Sequence, residues 1–166
     1  MKVKIFNNLG ISILEVIVAI LIITIGMVGV LSLVIQNVEA QYINKNILIA
    51  SGLAQEGLEL VRNTRDLNWL TPDNSWNKDI ASDVPNASIA YTIGYDGYID
   101  TLANTLDSAR LYIDSTGFYT NISAGNTPTN FYRLITVINK TDYLDVKCTI
   151  RWQEGTENHD YTAETY

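Results

Sequence analysis

The sequence predicts an α+β protein in which one long N-terminal α-helix, membrane-spanning and then amphipathic, packs on a small antiparallel β-sheet head. Three observations predict it. Ile11 to Ile35 carries a single formal charge, Glu15, and about 20 apolar residues in a helix cross the hydrocarbon core of a bilayer. From Ile43 to Val61 apolar residues recur at three- and four-residue steps, the period of a helix with one buried face. Beyond Asn86 the period falls to two, the spacing of strands with one wet face.

In chain order, the first element is a basic leader, residues 1–10, in which Lys2 and Lys4 face no balancing acid before Glu15. Basic residues flanking an apolar span stay in the cytoplasm, so the rest of the chain is expected outside it. Residues 11–36 form the apolar part of the helix and residues 37–67 its amphipathic half. Proline is absent before Pro72 and no cluster of turn residues interrupts the pattern, so one helix is expected from Ile11 to about Asp66. Its second half presents Ile43, Ile47, Ala50, Ala54, Leu58 and Val61 on one face, with Lys45, Gln55, Glu56, Glu59 and Arg62 elsewhere. Arg62 and Asp66, four residues apart, are placed to pair. Gly26 and Gly29 inside the span fit close helix approach and ordinary glycine tolerance equally well.

Residues 68–166 are expected to form a connecting loop followed by the head. Asn68 to Asn86 is rich in Asn, Asp, Ser and Pro and reads as the loop, with Trp69 and Trp76 pinning it to the head. Ala87 to Tyr95 is a strand candidate, and Leu111–Ile113 and Phe118–Thr120 flank Asp114-Ser115-Thr116-Gly117 as a hairpin. Phe131 to Asn139 is apolar on both parities, as a central strand is. Leu144, Val146, Cys148, Ile150 and Trp152 alternate with polar residues, and the two runs make an antiparallel hairpin around Asn139–Asp142. Tyr161 to Tyr166 is a last strand.

The net charge is −7, with most acids beyond the apolar run, which argues against a nucleic-acid partner. The single cysteine, Cys148, cannot form an intrachain disulfide and, among apolar neighbours, is expected to be a buried free thiol. No enzyme is expected. His159 is the only histidine and reads as a surface residue, and no nucleophile motif, phosphate loop or Cys/His metal spacing occurs. Asp96, Asp100 and Asp107 match no calcium-loop spacing. No metal or cofactor is therefore expected.

The junction between leader and span reads Leu9-Gly10-Ile11-Ser12-Ile13-Leu14-Glu15. A small residue, a hydrophobic one and a lone acid just over one helical turn later resemble the leader junction of the type IV prepilin family. The resemblance implies a pilin-like fold and cleavage of the Gly10–Ile11 bond by a membrane-embedded prepilin peptidase, which also methylates the new N-terminus at Ile11. It further implies assembly with other pilin or pseudopilin subunits on an inner-membrane assembly platform, with membrane lipid holding the subunit beforehand. The stretch Ala50 to Asp66, Leu111–Asp114 with Gly117–Tyr119, and the strand ending at Trp152 are similar to minor-pilin V-type proteins. Many major pilins place a proline in the apolar helix. Its absence here favours a minor subunit or a pseudopilin.

Glu15 has a physical reading of its own. A carboxylate in hydrocarbon is costly unless it is paired, protonated or near the interface, and no Lys, Arg or His follows it before Lys45. A neighbour's freed α-amine at Ile11 would supply the partner, as the resemblance implies; at headgroup level Glu15 would need none. Two rival fates of the apolar run are a secretory signal cut after Ala40, which its length opposes, and a membrane-anchored ectodomain that never assembles.

Overall fold

In the computed structural model, which describes residues 12–140 and 142–166, a single helix α1 runs from Ile13 to Leu70, past the expected Asp66. The chain falls into an N-terminal unit, Met1–Asn44, and a head, Lys45–Tyr166. The head carries seven strands: β1 Ser88–Ile93, β2 Ile99–Asp100, β3 Arg110–Ile113, β4 Tyr119–Thr120, β5 Thr127–Asn139, β6 Leu144–Glu154 and β7 Glu157–Thr165. Every pairing is antiparallel. The protein is α+β, with one long, N-terminally apolar helix packed on a small antiparallel sheet.

β5 is the centre of the sheet. One of its edges pairs with β6, Phe131 opposite Trp152 and Ile135 opposite Cys148. The other edge is shared, its C-terminal half by β1 and its N-terminal half by β3. A strand with neighbours on both sides needs apolar residues on both parities, which is why Phe131–Asn139 shows no clean alternation. β6 has its second edge covered by β7 through a turn at Gly155, whose φ of 61° lies in the left-handed region that glycine adopts without a Cβ clash. The expected last strand, Tyr161 to Tyr166, is thus the second half of a longer one. The β3–β4 hairpin closes on Asp114, whose Oδ1 accepts from Thr116 N at 2.8 Å, Thr116 Oγ1 at 2.6 Å and Phe118 N at 3.0 Å. The strand β2 and a short 3-10 turn at Leu106–Ser108 were not expected.

Within the head α1 lies on the sheet through Ala50, Leu53, Ala54, Gly57 and Val61, all buried against Tyr91, Ile135, Cys148 and Ile150. Small residues at three of those five positions let the helix backbone come close to the strands. Ile43 and Ile47 were expected in this interface, but they are 38% and 40% exposed. At this end of the head Asn46, Phe131 and Trp152 line a small open cleft, and Ile47 is not fully covered.

The largest fully buried side chain is a charged one, Arg133 on β5. Its guanidinium donates to Ile93 O at 2.6 Å and Leu53 O at 3.3 Å, and lies 3.3 Å from Glu56 Oε1. A buried charge persists only when paired and hydrogen-bonded, and here a helix and a strand far apart in sequence supply the acceptors. The surface pairs differ from expectation. Arg62 pairs with Glu59 at 2.6 Å and Arg65 with Asp66 at 2.8 Å, so the Arg62–Asp66 pair does not form.

The loop after α1 is held by amide side chains and one isoleucine. Asn68 Nδ2 donates to Lys78 O at 2.8 Å, Asn77 Nδ2 to Asp83 Oδ1 at 2.8 Å, and Ile80 is fully buried beneath the Tyr91 hydroxyl, which donates to Ile80 O. The two tryptophans do not pin it. Trp69 is 76% exposed and Trp76 41%, because Asn68 and Ile80 already occupy the inward positions.

Candidate functional site

The residues singled out in the sequence lie at and before the start of α1. Gly10 and Ile11 fall outside the described residues. Ser12 begins the description: its carbonyl accepts from Glu15 N at 3.0 Å and Val16 N at 3.2 Å, closing the first turn. Glu15 stands in that turn and is exposed. An acid there is favourably placed, because the unpaired N–H groups of a helix start carry partial positive charge.

From Ile13 to Ile35 every large aliphatic side chain is exposed, on all sides of the helix. A soluble helix hides one such stripe against its own fold, and this one hides none. Apart from Glu15, the polar side chains in the segment hydrogen-bond within the helix. Thr24 Oγ1 donates to Leu21 O at 2.9 Å, and Gln36 Nε2 donates to Ser32 Oγ at 3.4 Å. A hydroxyl bonded to its own helix presents less polarity to an apolar surrounding. Beside Gly26 and Gly29 the space is open, so among the described residues none uses the close approach that glycine permits. By length and composition, α1 is able to cross a membrane.

Comparison of the chain with protein-family models, with curated proteins and with solved structures finds no match. What the N-terminal unit offers is therefore read from its own chemistry: a continuous apolar cylinder of helix with a single carboxylate in its first turn.

Two features of the head went unnoticed in the sequence. His159, read as a surface residue, stacks on the buried Trp152 with ring centroids 5.4 Å apart. Trp152 and His159 face one another across the β6–β7 hairpin, a pairing that the turn residue Gly155 signals in the sequence. The second feature is a cleft of about 730 Å³ between the end of α1, the loop that follows it and the ends of β6 and β7. Trp69 and Trp76, expected to pin the loop to the head, line it. Among the described residues, no group of three or more His, Cys, Asp or Glu side chains is placed to hold a metal ion.

Proposed function

We propose that the chain is a pilin-like minor subunit, a minor pilin or a pseudopilin, cleaved after Gly10 and assembled through its N-terminal helix into a pilus or a secretion pseudopilus. The observation that carries the reading is the helix segment exposed on every side, following a leader junction of Gly, hydrophobic residue and lone acid. Burying a large aliphatic side chain is worth about 1.5–3 kcal/mol, so such a segment resides in lipid or among other helices of its kind. A filament subunit uses both in turn. It waits in the cytoplasmic membrane with Lys2 and Lys4 inside and the head outside, then leaves lipid for a bundle of like helices on an assembly platform. Glu15 sets the register by meeting the α-amine that cleavage creates on a neighbour's Ile11, a pairing favoured where water is scarce.

Processing tests the reading directly. Co-expressed with a prepilin peptidase, the chain should lose residues 1–10 and show a methylated Ile11 at its N-terminus by mass spectrometry. Gly10→Val should remain full length, because a branched side chain intrudes where the peptidase must hold extended backbone. A bulky change at Ala40 should alter nothing. If the mature chain begins at Gln41 the molecule is a secreted one; if no cut occurs beside a competent peptidase, it is an anchored ectodomain.

A further inference from the structure

We propose that the cleft at the C-terminal end of α1 binds a neutral oligosaccharide. The cleft, of about 730 Å³, lies within the size range of small-molecule sites. Its floor is aliphatic and largely buried: Val61, Ile80, Leu144 and Val146 are buried, and Leu58 is partly so.

Most of the exposed apolar surface is ring surface: Trp69, Trp76, Tyr143 (47% exposed) and Tyr166 all line the cleft. Tyr143 and Tyr166 hold one another edge to face, with centroids 6.0 Å apart and planes at 78°. An aromatic face is the negative pole of a quadrupole. The partner it takes over a broad flat area is a surface of polarised C–H bonds, and the face of a pyranose ring is such a surface. Hydroxyls at the edge of that ring need planar donors and acceptors beside the stacking face. The cleft provides Asn74, Arg62 and Arg65 at its rim.

Charge selects the class of sugar. Arg62 is already paired with Glu59 and Arg65 with Asp66, so their N–H groups remain useful to hydroxyls while their charge is offset. The chain as a whole carries −7. The lining also carries the carboxylate of Asp142, which opposes an anionic glycan or a phosphate and leaves a neutral saccharide unopposed.

The test uses the full chain in a zwitterionic detergent free of sugar headgroups, applied to an array of neutral di- to tetrasaccharides. The best ligand is then titrated by tryptophan fluorescence and calorimetry. Trp69→Ala should weaken binding at least about tenfold, equivalent to ~1.4 kcal/mol, with unchanged thermal unfolding because the ring is exposed. Phe118→Ala removes another exposed aromatic, one that does not line the cleft, and should leave binding as it was. The proposal is overturned if no neutral saccharide binds, if Trp69→Ala binds as tightly as wild type, or if sialylated and sulfated sugars bind in preference.

Discussion

Gly57 on α1 and Cys148 on β6 leave no room between them for a side chain: a Cβ at position 57 would stand 2.7 Å from the Cys148 sulfur and 3.1 Å from Cδ of Arg133. The helix sits on the sheet at this depth because its residue there is the smallest available. Around Gly52, on the same helix but exposed, the space is open.

The two glycines should therefore respond to alanine with opposite signs. At position 52 alanine gains about 1 kcal/mol of helix propensity with nothing to oppose it, and thermal unfolding should shift upward by a few degrees. At position 57 the same gain meets an overpacking cost of about 1–3 kcal/mol, and unfolding should shift downward. Adding Cys148→Ala to Gly57→Ala should recover part of the loss. If Gly57→Ala proves as stabilising as Gly52→Ala, the helix does not rest on the sheet at this point.

How much of this was legible beforehand depends on which contacts are local. The all-round apolar run and the β5–β6 hairpin follow from period and turn residues within a few positions of each other, and both are present. Cys148 was placed inside by its alternation alone, and it is buried. Arg133 shows where such reading stops. A charged residue in a strand is expected to face water, yet this one is the largest side chain in the core because Leu53, Glu56 and Ile93 converge on it. Those partners lie 40 or more residues away, and no window of sequence contains them. Likewise Ile47 continues the helical period faithfully, yet it is 40% exposed. The roles proposed for Gly10, Ile11 and Glu15 rest on contacts between molecules, which the period and turn residues of one chain do not encode.

Burial pushes the Cys148 thiol up to about 12, and it raises the Tyr91 phenol as well, with Cys148 adding to it. Both groups hold their protons more tightly in the folded state than in the unfolded one, where a thiol titrates near about 8.5 and a phenol near about 10. Their contribution is fully present below about pH 8.5 and is lost as pH rises toward the folded values. Denaturant midpoints measured from pH 7 to pH 11 should be flat to about pH 8.5 and then fall. Cys148→Ala should remove the early part of that fall, between about pH 8.5 and 10, whatever it does to the baseline. Iodoacetamide at pH 8 should modify Cys148 only in denaturant. Rapid alkylation of the folded chain would place the thiol outside the core.

The last prediction concerns Glu15, exposed in the first turn of a helix that is otherwise apolar for over twenty residues. Two physical accounts of this carboxylate differ in what they require of its charge. If it rests at the headgroup level of a membrane, any polar side chain serves, and Glu15→Gln should be indistinguishable from wild type. If it pairs with the α-amine of a neighbour's Ile11, the charge itself is needed, and Glu15→Gln should fail although it keeps the shape and hydrogen-bonding groups. Insertion should not suffer in either variant, because Glu15→Ala and Glu15→Gln each remove a charge that hydrocarbon disfavours. The measurement is the ratio of subunit in sheared filaments to subunit in membranes, taken after mass spectrometry has shown that cleavage at Gly10 is complete. Loss of a pairing worth ~1.4 kcal/mol lowers that ratio about tenfold, so Glu15→Ala and Glu15→Gln should both fall by at least this factor. Glu15→Asp, which keeps the charge on a shorter arm, should retain more than either. Equal incorporation of Glu15→Gln and wild type would assign the carboxylate to the membrane interface and leave register to the packing of the apolar side chains alone.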